Sequence, residues 1–105
     1  MVDTLEEKKA ENILLLDIQG VSEFTDYFVI ANGTSDRMLD SLSKATSEML
    51  KAEHGIITHA EGHAKDGWIL IDAGTVIIHL FSPDQRDYYR LEELWAQGKT
   101  LLRVQ

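Results

Sequence analysis

The chain has 105 residues, and 10 Lys+Arg against 18 Asp+Glu give it a formal charge of −8. That length predicts one domain, residues 1–105, able to bury roughly two-thirds of the surface its unfolded chain exposes. With 44% apolar residues and no cysteine, the composition excludes wholesale disorder, a disulfide framework, a thiolate nucleophile and a Cys-ligated metal.

The opening Met1-Val2-Asp3-Thr4-Leu5-Glu6-Glu7 lacks the basic-then-apolar pattern of a secretory leader. No apolar run approaches the roughly eighteen residues that span a bilayer, so the expectation is a soluble, cytoplasmic protein with no membrane partner. Acids outnumber bases 11 to 5 before residue 59 and 7 to 5 from there on. Phosphate backbones are gripped by clustered Lys and Arg, so no direct nucleic-acid specificity is expected. An acidic surface fits a basic protein patch instead.

Thr4-Leu5-Glu6-Glu7 has the form of a capping box and predicts a short helix reaching about residue 12. Ile13-Leu14-Leu15-Leu16-Asp17-Ile18 is a continuous apolar run, the mark of a buried strand, ended by Gln19-Gly20. Tyr27-Phe28-Val29-Ile30-Ala31 predicts a second strand, rich in aromatic and β-branched residues. After the turn Asn32-Gly33-Thr34-Ser35, a helix capped by Ser35 carries Met38, Leu42, Ala45 and Met49 on one face and stops at Gly55. A further short strand fits residues 58–61. Trp68-Ile69-Leu70-Ile71 and residues 75–81 flank Asp72-Ala73-Gly74, a hairpin connection. Ser82-Pro83-Asp84-Gln85 opens a last helix, with Tyr88, Leu91, Leu94 and Trp95 as its apolar stripe and an end near Gly98. The tail Leu101-Leu102-Arg103-Val104 fits either a contact with a neighbouring subunit or a fraying end. Together these elements predict an α/β fold, a mixed β-sheet flanked by helices.

Few residues suggest chemistry. Gly33-Thr34-Ser35-Asp36 follows a strand and precedes a helix, but lacks the glycine-rich length and Lys of a P-loop, so it reads as a tight turn and cap. His59-Ala60-Glu61-Gly62-His63 invites a metal reading, yet Gly62 disfavours the helix that would align the two imidazoles. His79 sits in an apolar strand with no nucleophile beside it. No strand carries the Asp-x-Asp pair that phosphoryl transfer with Mg²⁺ would use. Trp68, Tyr88, Tyr89 and Trp95 suit either a core or the aromatic anchors of a protein interface. From the residues alone the chain is an acidic α/β binding domain with no catalytic residues, metal or cofactor assigned.

Several stretches in register resemble one family: Phe24-Thr25-Asp26-Tyr27-Phe28-Val29-Ile30, Gly33-Thr34-Ser35-Asp36-Arg37, Glu61-Gly62, Trp68-Ile69-Leu70-Ile71-Asp72-Ala73-Gly74, Val76-Ile77-Ile78-His79-Leu80-Phe81, and the run from Arg86-Asp87-Tyr88-Tyr89 to Leu94-Trp95. Across about residues 5–96 the chain is similar to the ribosomal silencing factors, or Iojap-type proteins. The resemblance implies a nucleotidyltransferase-like fold without the catalytic acids. It implies a translational repressor that binds the large ribosomal subunit through its fourteenth protein, sterically blocks joining of the small subunit when nutrients are short, and forms a homodimer when free. Carried over residue by residue, the partner-binding positions are Glu61, Trp68, Asp72, Val76, His79, Phe81, Tyr88, Tyr89, Leu94 and Trp95. Thr75 departs from the pattern, standing where many members carry Asp. The alternatives are a minimal nucleotidyltransferase-like enzyme using the Gly33–Asp36 turn and a dimeric scaffold unrelated to ribosomes.

Overall fold

The computed structural model describes residues 2–20, 23, 25–90 and 98–104. In chain order the elements are α1 (Val2–Glu7), β1 (Glu11–Asp17), β2 (Tyr27–Asn32), α2 (Asp36–His54), β3 (His59–His63), a 3-10 turn (Ala64–Asp66), β4 (Trp68–Asp72), β5 (Val76–Phe81), α3 (Pro83–Tyr89) and β6 (Lys99–Val104). All six strands join one sheet in the order β3-β4-β5-β2-β1-β6. Only β2 and β5 run parallel to each other, and every other neighbouring pair is antiparallel. This is the mixed sheet with flanking helices that the element pattern predicts.

Because side chains alternate along a strand, the register sorts the sheet into two faces. One face carries Val29 and Ala31 of β2, Ile69 and Ile71 of β4, and Ile78 and Leu80 of β5, all buried with Ile13 against α2. The helix forms where it does because its ends are satisfied. The Ser35 hydroxyl accepts from the Met38 N–H at 3.1 Å. At the other end Gly55 takes φ 66°, and the N–H groups of Gly55 and Ile56 donate to the carbonyls of Lys51 and Leu50. Leu39, Leu42 and Leu50 thereby point into the sheet, and Leu5 of α1 closes the same core.

The opposite face gathers Leu14, Leu16 and Ile18 with Phe28, Ile30 and Phe81. Here α3 is fastened by its own residues. The Ser82 hydroxyl caps it through the Gln85 N–H at 3.3 Å, and Pro83 starts the helix where no N–H is needed. The Arg86 guanidinium is buried and donates to the carbonyl of Asn12 and, at 3.1 Å, to Oδ1 of Asn32. A seven-residue helix is too short to persist unaided, so this tie to β1 and β2 decides where α3 lies. Arg86→Met is therefore expected to cost about 2–3 kcal/mol of stability, measured by urea unfolding, because charged hydrogen bonds to buried acceptors are lost.

Five local expectations are corrected. The first helix begins at Val2, so Thr4 lies inside it instead of capping it, and it stops at Glu7 because Lys9 turns left-handed at φ 68°. The next strand accordingly starts at Glu11, two residues early. The hairpin loop is 73–75, since Thr75 precedes the first paired residue, Val76. The tail is not a fraying end: β6 pairs antiparallel with β1, placing Leu102 opposite Leu15 and Val104 opposite Ile13. The helix opened by Ser82 and Pro83, α3, closes at Arg90, which sits at φ 49°, and the predicted stripe at Leu91, Leu94 and Trp95 lies outside the described residues.

Candidate interaction face

Seven of the predicted partner-binding positions fall on or beside the face opposite α2. In β5 the alternation puts Ile77, His79 and Phe81 on that face, and cross-strand pairing with β4 adds Asp72, Leu70 and Trp68 opposite them. Pairing of β3 with β4 then brings His59, Glu61 and His63 into line with Asp72, Leu70 and Trp68. The edge strand β3 is exposed throughout, whereas Trp68, Leu70 and Ile77 are half-buried.

The aromatic residues form one connected run of rings. Phe28 meets His79 edge to face at 4.9 Å, Phe81 stacks on Trp68 at 5.1 Å, and Tyr89 lies 4.5 Å from Trp68. Tyr88 ends the run, T-shaped on Tyr89 at 5.0 Å and 73% exposed. The series thus passes from a wholly buried ring, Phe81, to an almost free one. A surface phenol held by aromatic packing presents apolar area and a polar tip at little entropic cost.

His79 stiffens the platform. Its Nδ1 accepts a hydrogen bond from the Trp68 indole N–H at 3.2 Å, which places the imidazole proton on Nε2 and fixes the indole's orientation. That Nε2 is buried without a hydrogen-bond partner among the described residues. Burial pushes the His79 pKa down from 6.5 to about 4. In the unfolded chain the ring takes a proton near 6.5, so the unfolded state binds more protons between those values. The stabilising contribution is therefore complete above about pH 6.5 and is lost as the pH falls toward 4. At 1.36 kcal/mol per unit, wild type should lose about 2–3 kcal/mol more stability than His79→Gln between pH 7 and 4.5. Urea unfolding of both proteins at the two pH values checks this, since glutamine can accept from the indole but does not titrate.

Four predicted positions need a different account. Val76 pairs with Tyr27 and packs against the core beneath α2, so it belongs to the other face. The strand's own alternation signals this, because Val76, Ile78 and Leu80 share one parity and Ile77, His79 and Phe81 the other. Phe81 has no exposed surface, so it supports the face from below instead of contacting a partner. Leu94 and Trp95 lie outside the described residues. Sequence reasoning assigned no role to Leu70, Ile77 and Arg86. The first two follow from the same alternation, whereas nothing in the local sequence marks Arg86 as buried.

The chemical readings gain little. His59 and His63 occupy one strand four residues apart, some 13 Å at the rise of a β-strand, too far to share an ion. Among the described residues no group of three or more His, Asp or Glu side chains is placed to hold a metal. In the Gly33–Asp36 turn, the Gly33 N–H donates to the Phe81 carbonyl at 2.9 Å and Ser35 caps α2, as a turn and cap require. No helix among the described residues is long and apolar enough to cross a membrane.

Comparison with known proteins gives these features a context. The profile of the family described as "Ribosomal silencing factor during starvation" matches residues 1–104. The chain belongs to this family. A Bacillus subtilis relative, named ribosomal silencing factor RsfS, is 40% identical over 94 residues, covering 89% of this chain and 79% of that one. A mouse relative named "Mitochondrial assembly of ribosomal large subunit protein 1" is 35% identical over 99 residues, covering 91% of this chain and 43% of that protein. A crystal structure of a Chromobacterium violaceum protein superposes with a TM-score of 0.85 at 34% identity, over 90% of this chain and 79% of that one. The family resemblance carried by the sequence motifs is therefore established, and the fold is shared with a solved structure over 90% of the chain.

Proposed function

We propose that the chain is a translational repressor that docks on the large ribosomal subunit through the aromatic face of its sheet. The contact is the subunit's fourteenth protein, and the bound chain sterically blocks joining of the small subunit, lowering translation when nutrients are short. The observation that carries this reading is the exposed Tyr88 at the end of a braced aromatic platform, flanked by the exposed acids Glu61 and Asp72. Such a face offers anchors to desolvate and negative charge to meet a basic protein. The family description and the relatives' names support a ribosomal setting and the large subunit.

On this account Trp68, Tyr88 and Tyr89 make apolar contact, Glu61 and Asp72 pair with Lys or Arg, and His79 and Phe81 hold the platform. Asp72 also accepts from the Gly74 N–H at 2.9 Å, so its carboxylate is fixed at the hairpin tip. The action is occlusion, with no reaction step and no cofactor. Homodimerisation of the free protein belongs to the same proposal and is read by sedimentation velocity. Density-gradient sedimentation with separated subunits tests the docking: co-migration with large but not small subunits is expected, and protein remaining at the top of the gradient would overturn it.

A further inference from the structure

Beside Trp68 the face is indented. A hollow of about 190 Å³ is lined by Glu61, Gly62, Trp68 and Leu70. It is smaller than the roughly 300 Å³ at which small-molecule pockets begin, so its scale is that of one inserted side chain. Its walls differ in chemistry. Leu70 and the Trp68 indole are apolar, and Glu61, directly opposite Leu70 across the β3–β4 pair, is the charged group among the lining residues. At Gly62 the backbone of β3 closes on β4 in a way that leaves no room for a side chain. There φ is 90°, and a Cβ would fall onto the Trp68 carbonyl oxygen.

We propose that this hollow is the receptor site for a single arginine side chain of the docking partner. A planar guanidinium can lie on the indole face and pair with a carboxylate at its edge, while its methylene stem covers Leu70. Lysine, a compact and strongly hydrated charge, matches neither the flat wall nor the two-pronged acceptor as well. The Trp68–His79 hydrogen bond holds the indole at a fixed tilt, so the wall is formed before the ligand arrives. The formal charge of −8 draws a cation toward the face, and Glu61 decides where its head group stops.

The source of the arginine rests on the docking reading above, but its receptor can be tested without a ribosome. The free protein is titrated with Nα-acetyl-arginine N-methylamide at millimolar concentrations, observing the backbone N–H of Gly62 and the indole N–H of Trp68 by NMR. Both signals are expected to move, the neutral citrulline analogue to leave them in place, and Glu61→Gln to weaken the arginine response about tenfold. Equal shifts with citrulline, or no shift with arginine at about 50 mM, would overturn the receptor site and leave the docking reading standing. In the gradient assay Glu61→Gln should likewise bind large subunits about tenfold more weakly, with a shallower salt dependence. Unaltered binding and salt dependence there would overturn the partner's arginine as occupant. Failure of the wild type to bind large subunits, beside a positive titration, would strike the docking reading alone.

Discussion

Tyr88→Ala is expected to weaken association with the large ribosomal subunit by about 2 kcal/mol, close to thirtyfold, while leaving the stability of the free protein within about 0.5 kcal/mol. The asymmetry follows from where the ring sits. With 73% of its surface exposed, Tyr88 contributes little to the free fold, and its one described ring contact is the T-shaped packing on Tyr89. On docking it would become buried, and truncation would then remove the apolar area that water had to leave. Titration of labelled large subunits with wild type and variant, alongside urea unfolding of each, separates the two quantities. A variant that unfolds early would mean that Tyr88 helps hold α3, and one that binds at wild-type strength would remove Tyr88 from the interface.

Phe81→Ala should do the reverse. The ring is wholly buried, stacked 5.1 Å from Trp68 and within 6.1 Å of both His79 and Tyr89. Removing it leaves a cavity under the aromatic platform, with an expected cost of about 3–5 kcal/mol. Domains of this size are held by about 5–15 kcal/mol in total. The melting temperature should therefore fall by about 15 °C or more, a change read directly by calorimetry. Near-ultraviolet circular dichroism should lose intensity as well, since Trp68 and Tyr89 both lose a ring packed against them. Such a result would fix Phe81 as the support of the face, not a part of its contact surface.

Much of this arrangement is legible in the chain because it depends on local rules. Ser35 and Gly55 delimit α2 through caps that two residue types supply, and Ala73-Gly74 marks the hairpin that aligns Trp68 with Phe81. The alternation of Ile77, His79 and Phe81 gives the face itself. What the sequence conceals depends on distant partners. Lys99–Val104 has neither a strong apolar period nor a turn signal, and it becomes a strand because β1 offers an unpaired edge some ninety residues earlier. Arg86 resembles any charged residue on a short helix until Asn12 and Asn32 are seen to receive its guanidinium. The Trp68–His79 hydrogen bond joins two strands at a register that composition cannot supply. Val76 is a different case. Its family motif placed it with His79 and Phe81, while its parity in the strand sets it on the opposite face, half-buried against the core beneath α2.

The early arrest of α1 has the same character. Thr4 to Glu7 satisfies the capping-box pattern, yet Leu5 is drawn wholly into the core and the chain turns at Lys9 to start β1. Tertiary burial there outweighs a local signal of about 1 kcal/mol.

The most direct test of the account is subunit joining, followed by light scattering when small subunits are mixed with large subunits already incubated with the protein. The account predicts that saturating wild type suppresses the rise in scattering and that Tyr88→Ala, at the same concentration, restores most of it. Undiminished joining in the presence of saturating wild type, or equal suppression by Tyr88→Ala, would contradict the claim that this face acts by occlusion.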